Sequence, residues 1–266
     1  MKHLLLGIPV AAALAATAAA APLKSARVTQ VVRDVRLYPT AAEGRPAAVG
    51  DQLGGSSSLH TGRRSRAELT FPDSTLTRIG ANSVFSFAGA GRTMDLQQGA
   101  VLVQVPKATG GATIRTATVT AAITGSTAML EYSPGKWVKF INLEGTMRLG
   151  IKGRQGQVDV PPGQMIIMHP NGREVPAPVV INLARLVRTS RLANASSFGP
   201  LPEDSVARID QAVAGQMSAR RSGSLAPAGV IAGGHALPDD AAGTRDTGTL
   251  VRDVSHGDSE WHHHYP

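Results

Sequence analysis

No cysteine occurs anywhere in the 266 residues. That excludes disulfides, thiol nucleophiles and cysteine-based metal sites, so the fold must be held by packing alone. Aromatic residues make up only 4% of the chain. The core must therefore come from Val, Ile, Leu and Ala, and little is available to stack on nucleic-acid bases. Catalytic signatures are scarce as well. The run Gly89 to Arg92 lacks the third glycine of a dinucleotide loop and no Gly-Lys-Ser/Thr phosphate loop follows. No serine sits in a Gly-x-Ser-x-Gly elbow, and His60 and His169 are the only histidines of the central region that could act as a base. The acids Asp34, Glu68, Asp73, Asp95, Glu131, Glu144 and Asp159 are spread over turns and strand rims, and only the fold could pair two of them as glycosidases do. The expectation is a chain that is not an enzyme and uses no cofactor.

The first residues carry Lys2, an apolar run from Leu4 and small residues up to Pro22. Residues 1–21 read as a secretory signal peptide, cut after Ala19 or Ala20, with an uncleaved anchor as the alternative. No later run is apolar for long enough to span a bilayer, so a periplasmic or secreted chain without a transmembrane span after cleavage is expected. The formal net charge is +8, and residues 222–266 hold two arginines against six acids, so that segment carries −4 and the remainder +12. Export argues against nucleic acid as the partner of this basic body and for an envelope protein or an anionic polysaccharide; scattered arginines solvating a β surface explain the charge equally well.

The 29 glycines and 17 prolines punctuate short β-branched runs from Lys24 to Pro178, which predicts an all-β domain over 24–178, a β-sandwich or roll of about twelve strands. Pro72-Asp73, Pro134-Gly135 and Asn171-Gly172 mark turns. A helical extension over 179–221 follows, with two short amphipathic helices. The first presents Leu183, Leu186, Val187 and Leu192; the second begins at Pro202 and presents Val206, Ile209, Val213 and Met217, and the β domain is the nearest surface for both. From residue 222 the composition predicts a disordered acidic tail. It ends in consecutive His262, His263 and His264, imidazoles able to bind a metal but held in no fixed geometry by such a chain, so no metal site is assigned.

Three smaller features carry a functional and a plain reading. Tyr132 and Trp137 flank a hairpin turn and would either stack on a sugar or pack across the strands, the commoner outcome. Arg63, Arg64 and Arg66 would meet an anionic partner or guard a strand edge. Gly125 interrupts a β-branched run, where glycine permits a bulge or close backbone approach, and its role is read as geometric.

Taken in order, Gly50-Asp51, Thr61-Gly62, Asp73, Gly99-Ala100-Val101, Gly125, Leu143-Glu144-Gly145 and Gly163-Gln164 resemble the FecR domain family. Ser74 stands where a turn glycine is usual, and Ser126-Thr127 where Gly-Thr is usual. The resemblance covers about two thirds of the chain and marks Asp73, Gly99, Gly125, Glu144, Gly145 and Gly163 as structural motif positions. It implies a jelly-roll-like domain outside the cytoplasmic membrane, with no catalytic residues to carry over. Siderophore-signalling regulators of the family hold a cytoplasmic arm before their membrane span; a chain opening on a signal segment is expected to lack it. The function expected is therefore a binding or signal-sensing module for a protein or anionic glycan, or else an assembly protein docking a partner through its C-terminal helices.

Overall fold

The computed structural model describes residues 21–39, 43–88, 91–225 and 230–231. Residues 1–20 of the expected signal peptide, and nearly all of the expected tail including His262, His263 and His264, lie outside the described residues. The strands are β1 (Ser25–Val32), β2 (Val35–Tyr38), β3 (Arg45–Pro46), β4 (Gln52–Gly54), β5 (Ser58–Thr61), β6 (Arg66–Thr70), β7 (Leu76–Ile79), β8 (Val84–Ala88), β9 (Thr93–Gln104), β10 (Ala112–Arg115), β11 (Val119–Ser133), β12 (Trp137–Ile151), β13 (Val158–Val160), β14 (Gln164–Met168), β15 (Val179–Ile181) and β16 (Val230–Ile231). Three helices, α1 (Leu183–Thr189), α2 (Ala195–Phe198) and α3 (Glu203–Arg221), lie between β15 and β16.

The protein is mostly β, as its composition predicts, but its ladders form one large, open, mixed sheet. A jelly-roll sandwich is not what they describe. The path runs β16-β15-β14-β12-β11-β10-β9-β7-β6-β1-β4, and β8 leads from β9 through β5 and β2 to β3. The β9–β10 and β15–β16 pairs are parallel, whereas the other pairs are antiparallel. One sheet results because its longest strands serve two sets of partners. The first half of β9 pairs β8 and its second half pairs β7 and β11. The start of β11 pairs β10 and its end pairs β9, while β12 pairs β14 first and β13 later.

Each long strand changes the parity of its buried residues at a glycine. Met94 and Leu96 of β9 enter the main core at even positions; beyond Gly99, Val101 and Val103 enter it at odd ones. Likewise Val119, Ala121 and Ile123 of β11 give way beyond Gly125 to Ala128, Leu130 and Tyr132. In β12 the change, from Val138 and Phe140 to Met147 and Leu149, falls around Gly145. An extra residue in one strand of a pair rotates all later side chains to the other face, which keeps the same core supplied after the strand bends. β9, β11 and β12 therefore each run through their glycine as one strand.

The sheet buries apolar residues on both faces of these strands. Val101, Val103, Leu130 and Phe140 join the main cluster, while Ala100, Leu102, Met129, Ile141, Leu143 and Met165 form a second cluster with Ile181, Leu183, Leu186, Leu192, Phe198, Leu201 and Ile209. The second cluster lies under the C-terminal helices, so the β domain is indeed the surface they cover. Two corrections follow. The segment expected to be one helix is two, because Asn194 caps α2 by accepting from the Ser196 N–H at 2.8 Å and the buried Ser190 hydroxyl accepts from the Leu192 N–H at 3.2 Å. On α3, Ile209 is buried but Val206 and Met217 are 37% and 53% exposed, so the apolar stripe is narrower than its sequence period suggests. Within the segment expected to be disordered, Val230 and Ile231 pair in parallel with Val180 and Ile181.

Candidate functional site

Each motif position has a definite setting in the sheet, and two of them, Glu144 and Gly163, also contact α3. Asp73 closes the β6–β7 hairpin, accepting from the Thr75 N–H at 3.0 Å and from Arg92 Nη2 at 2.5 Å. Ser74 takes the left-handed backbone, φ +66, that the usual glycine would supply. Gly99, at φ +94, lets Ser83 approach so closely that a Cβ would stand 2.5 Å from the Ser83 Cα, and the Ser83 hydroxyl there accepts from the Ala100 N–H at 3.0 Å. Gly125, at φ +57, lies against Lys107, whose Cα would be 3.0 Å from a Cβ. The Ser126 beside it is buried and donates to the carbonyls of Thr124 and Thr146 at 2.8 and 2.7 Å. Gly145 faces this serine across the ladder, and the Gly163 carbonyl accepts from Gln216 of α3 at 3.0 Å.

Glu144 is 1% exposed and accepts from Thr127 Oγ1 at 2.6 Å and from Arg208 of α3 at 2.7 Å. Its hydrogen bond raises the Arg208 pKa above the usual guanidinium value. A second grip comes from Arg78, 1% exposed in the middle of β7. Its Nε donates to Glu68 at 2.9 Å, and its Nη atoms donate to the carbonyls of Leu192, Gly199 and Pro200 at 2.9 to 3.1 Å. The Phe198 ring lies 5.1 Å from the guanidinium carbon. Burial pulls the Arg78 pKa down and Glu68 opposes it; a guanidinium stays charged in either case.

Beside this seam lies a hollow of about 320 Å³ lined by Val32, Arg33, Arg64, Arg66 and Arg191. Arg33 and Arg64 both take left-handed backbones, φ +64 and +55, at adjoining bends. The bends are laced together: Gly62 N–H donates to the Asp34 carbonyl at 2.9 Å, and Asp34 N–H donates to Ser65 Oγ at 3.1 Å. Arg66 stands opposite Val32 in the β1–β6 ladder, its guanidinium carbon 5.7 Å from the Phe198 ring. Arg191 comes from the α1–α2 connection, between the buried Ser190 and the Leu192 carbonyl that Arg78 holds. Among the described residues, none that lines this hollow carries a carboxylate. Convergent guanidinium groups form a field and a donor set suited to an oxyanion.

The other candidates are engaged elsewhere. Of the seven acids considered above, Glu68, Asp73, Asp95, Glu131, Glu144 and Asp159 each pair with a lysine or arginine. His60 stacks on Tyr38 at 4.2 Å and sits 3.1 Å from the Ser58 hydroxyl, with burial lowering its pKa; His169 accepts from the Asn171 N–H at 3.1 Å. Tyr132 is buried in the main core, whereas Trp137 donates to Glu131 at 2.9 Å, so they form no common platform. No group of three or more His, Asp or Glu able to hold a metal occurs among the described residues. Nor is any described helix long and apolar enough to cross a membrane.

Residues 57–146 match the family model described as FecR protein. This stretch is a FecR domain. The match runs from β5 into β12 and contains Asp73, Gly99, Gly125, Glu144 and Gly145, with Gly163 outside it. Two crystal structures, at 1.65 and 2.50 Å, of a proposed anti-sigma factor from Parabacteroides distasonis ATCC 8503 align with 45% of this chain at 14% identity and a TM-score of 0.40. The alignment covers 57% of that protein, less than two thirds of its length. No curated protein matches the sequence.

The arginine hollow crosses the limits of the FecR domain: Arg64 and Arg66 lie inside the match, Arg33 and Arg191 outside it. Sequence alone singles out Arg64 and Arg66, but nothing local connects them with residue 33 or 191. Arg78 did have a signal. It interrupts an apolar strand, and it lies as far after the Asp73 turn as Glu68 lies before it, the spacing of a cross-strand pair.

Proposed function

We propose that this chain is an exported, non-enzymatic envelope module whose FecR domain and helical extension together receive an anionic glycan. The reading rests on one observation, the convergence of Arg33, Arg64, Arg66 and Arg191 on a single hollow. The +12 charge of residues 1–221 supports it, since a positive field raises the encounter rate with a polyanion and fades as salt screens it. The use of most β-domain acids in ion pairs also supports a binding role over general acid–base work.

The test is retention of the full chain on an immobilised anionic polysaccharide across a salt gradient, with the Arg33→Gln/Arg64→Gln variant in parallel. Salt-sensitive retention that moves to clearly lower salt in the variant is the expected result. Equal elution of both proteins would overturn the reading. So would turnover of the polysaccharide, and retention of a stoichiometric protein partner in place of the glycan would transfer the site to that partner class.

A further inference from the structure

We propose that β15 is an acceptor edge for a short extended apolar segment of another protein, and that β16 occupies this edge in the isolated chain. The proposal goes beyond the glycan reading and uses none of its residues. Where other ladders end, the last strand is guarded. Among the described residues, β3, β4 and β13 each pair on one side only, and they carry Arg45 and Pro46, Gly54, and the exposed Asp159, residue types that discourage a further strand. β15 reads Val179-Val180-Ile181, three β-branched residues without a charge, a proline or a glycine. Val179 and Val180 are half-buried, so apolar surface accompanies the backbone groups at this edge.

The two sides of β15 are held differently. On the inner side Val179 and Val180 stand opposite Met165 and Gln164 of β14, the Ile181 N–H donates to the Gly163 carbonyl at 3.0 Å, and Gln216 of α3 donates to the Ile181 carbonyl at 3.0 Å. Successive residues of a strand turn their N–H and C=O groups to opposite sides, so those of Val180 face outward. There Val230 and Ile231 stand in parallel register with Val180 and Ile181, and among the described residues nothing else pairs with this side. A two-residue parallel pair is a weak cover. Its main-chain hydrogen bonds do not depend on side-chain identity, so another extended segment can replace it. Pro178 lacks an N–H, and Asn182 already caps α1 by accepting from the Arg185 N–H at 3.0 Å. The acceptor is therefore three residues long. The segment it takes has two or three consecutive β-branched apolar residues without charge or proline, as Val230-Ile231 has. The advantage of β16 is its tether: four residues separate it from Leu225, which sets an effective concentration on the order of millimolar for a partner segment to overcome.

The experiment uses the full chain and a synthetic peptide of residues 229–234, with binding read from amide chemical shifts and from hydrogen exchange at the Val180 amide. Val230→Pro/Ile231→Pro removes both N–H groups of β16 and leaves β15 intact. Val180→Pro removes the outward N–H of the acceptor, a change that an edge strand tolerates. The β16 variant should lose protection at Val180 and bind the peptide at least about tenfold more tightly than the unaltered chain, with the peptide restoring protection. Adding Val180→Pro should abolish that binding while exchange in the main core stays unchanged. Equal affinity in the unaltered chain and the β16 variant, or no binding to either, would overturn the proposal. So would binding that survives Val180→Pro, or equal binding of a peptide with Asp in place of both apolar residues. Concentration-dependent dimers of the unaltered chain that the β16 substitutions abolish would assign the edge to a second copy, and would overturn it as well.

Discussion

The two faces of the β9–β11–β12 region are built on different principles. On one face Val101, Val103, Leu130 and Phe140 meet other aliphatic and aromatic side chains, and non-directional burial suffices. On the other, the aliphatic cluster under the helices is set among Glu68, Arg78, Glu131, Lys139 and Glu144, all buried and all partnered through specific atoms. A buried ion pair adds little net stability over a well-packed apolar pair, but removing one member leaves a stranded charge. The apolar face therefore specifies that the sheet forms, and the polar face specifies which segment lies on it and in which register.

Truncations on the two faces should separate these roles. Phe85→Ala, in the main core, should cost about 3–5 kcal/mol and lower the single thermal transition of the whole protein. Arg78→Ala should cost a comparable amount, about 3–5 kcal/mol, by leaving Glu68 buried without its partner. Here the loss should be confined to the extension: faster amide exchange over residues 183–221 with β9, β11 and β12 still protected. Simultaneous melting of sheet and extension in this variant would erase the distinction between the faces.

Smaller effects test the bends that supply both faces. Gly125→Val combines a left-handed backbone with a clash against Lys107 and should destabilise the domain by about 2–4 kcal/mol in chemical denaturation. For Ser126→Ala, loss of a buried hydroxyl that serves two carbonyls should cost about 1–2 kcal/mol, with polysaccharide retention unchanged. An unchanged melting temperature with lost retention would make this serine functional. Least is expected of His60, whose pKa burial lowers, so the folded state binds fewer protons than the unfolded chain. Its contribution is complete above the unfolded value of about 6.5 and is lost as pH falls below it. A melting temperature that drops between pH 7.5 and 5 should drop less in His60→Asn, with docking of the extension unaffected.

Much of this arrangement is legible in the sequence because it depends on local periods. Alternating Met94 and Leu96, then Val101 and Val103, records both the strand and the parity change at Gly99. The Pro134-Gly135 turn joins β11 to β12 as expected, since Gly135 supplies the positive φ that the hairpin needs. Asn171-Gly172, an equally strong signal, instead begins a long connection from β14 to β15, because the residues after it do not continue the ladder. The single open sheet and the arginine hollow are not legible. Both depend on which distant strands share a partner, and no local pattern encodes that choice.

The sharing of partners has a kinetic consequence. β1 must wait for β6, and β9 must find β7, β8, β10 and β11, so little of the ladder is available to a nascent or partly emerged chain. Folding dominated by such distant pairings belongs to the slow, millisecond-to-second regime. Cutting the chain anywhere between residues 93 and 151 would leave each fragment with strands lacking half their neighbours. The molecule has no natural half, and it must assemble as a whole.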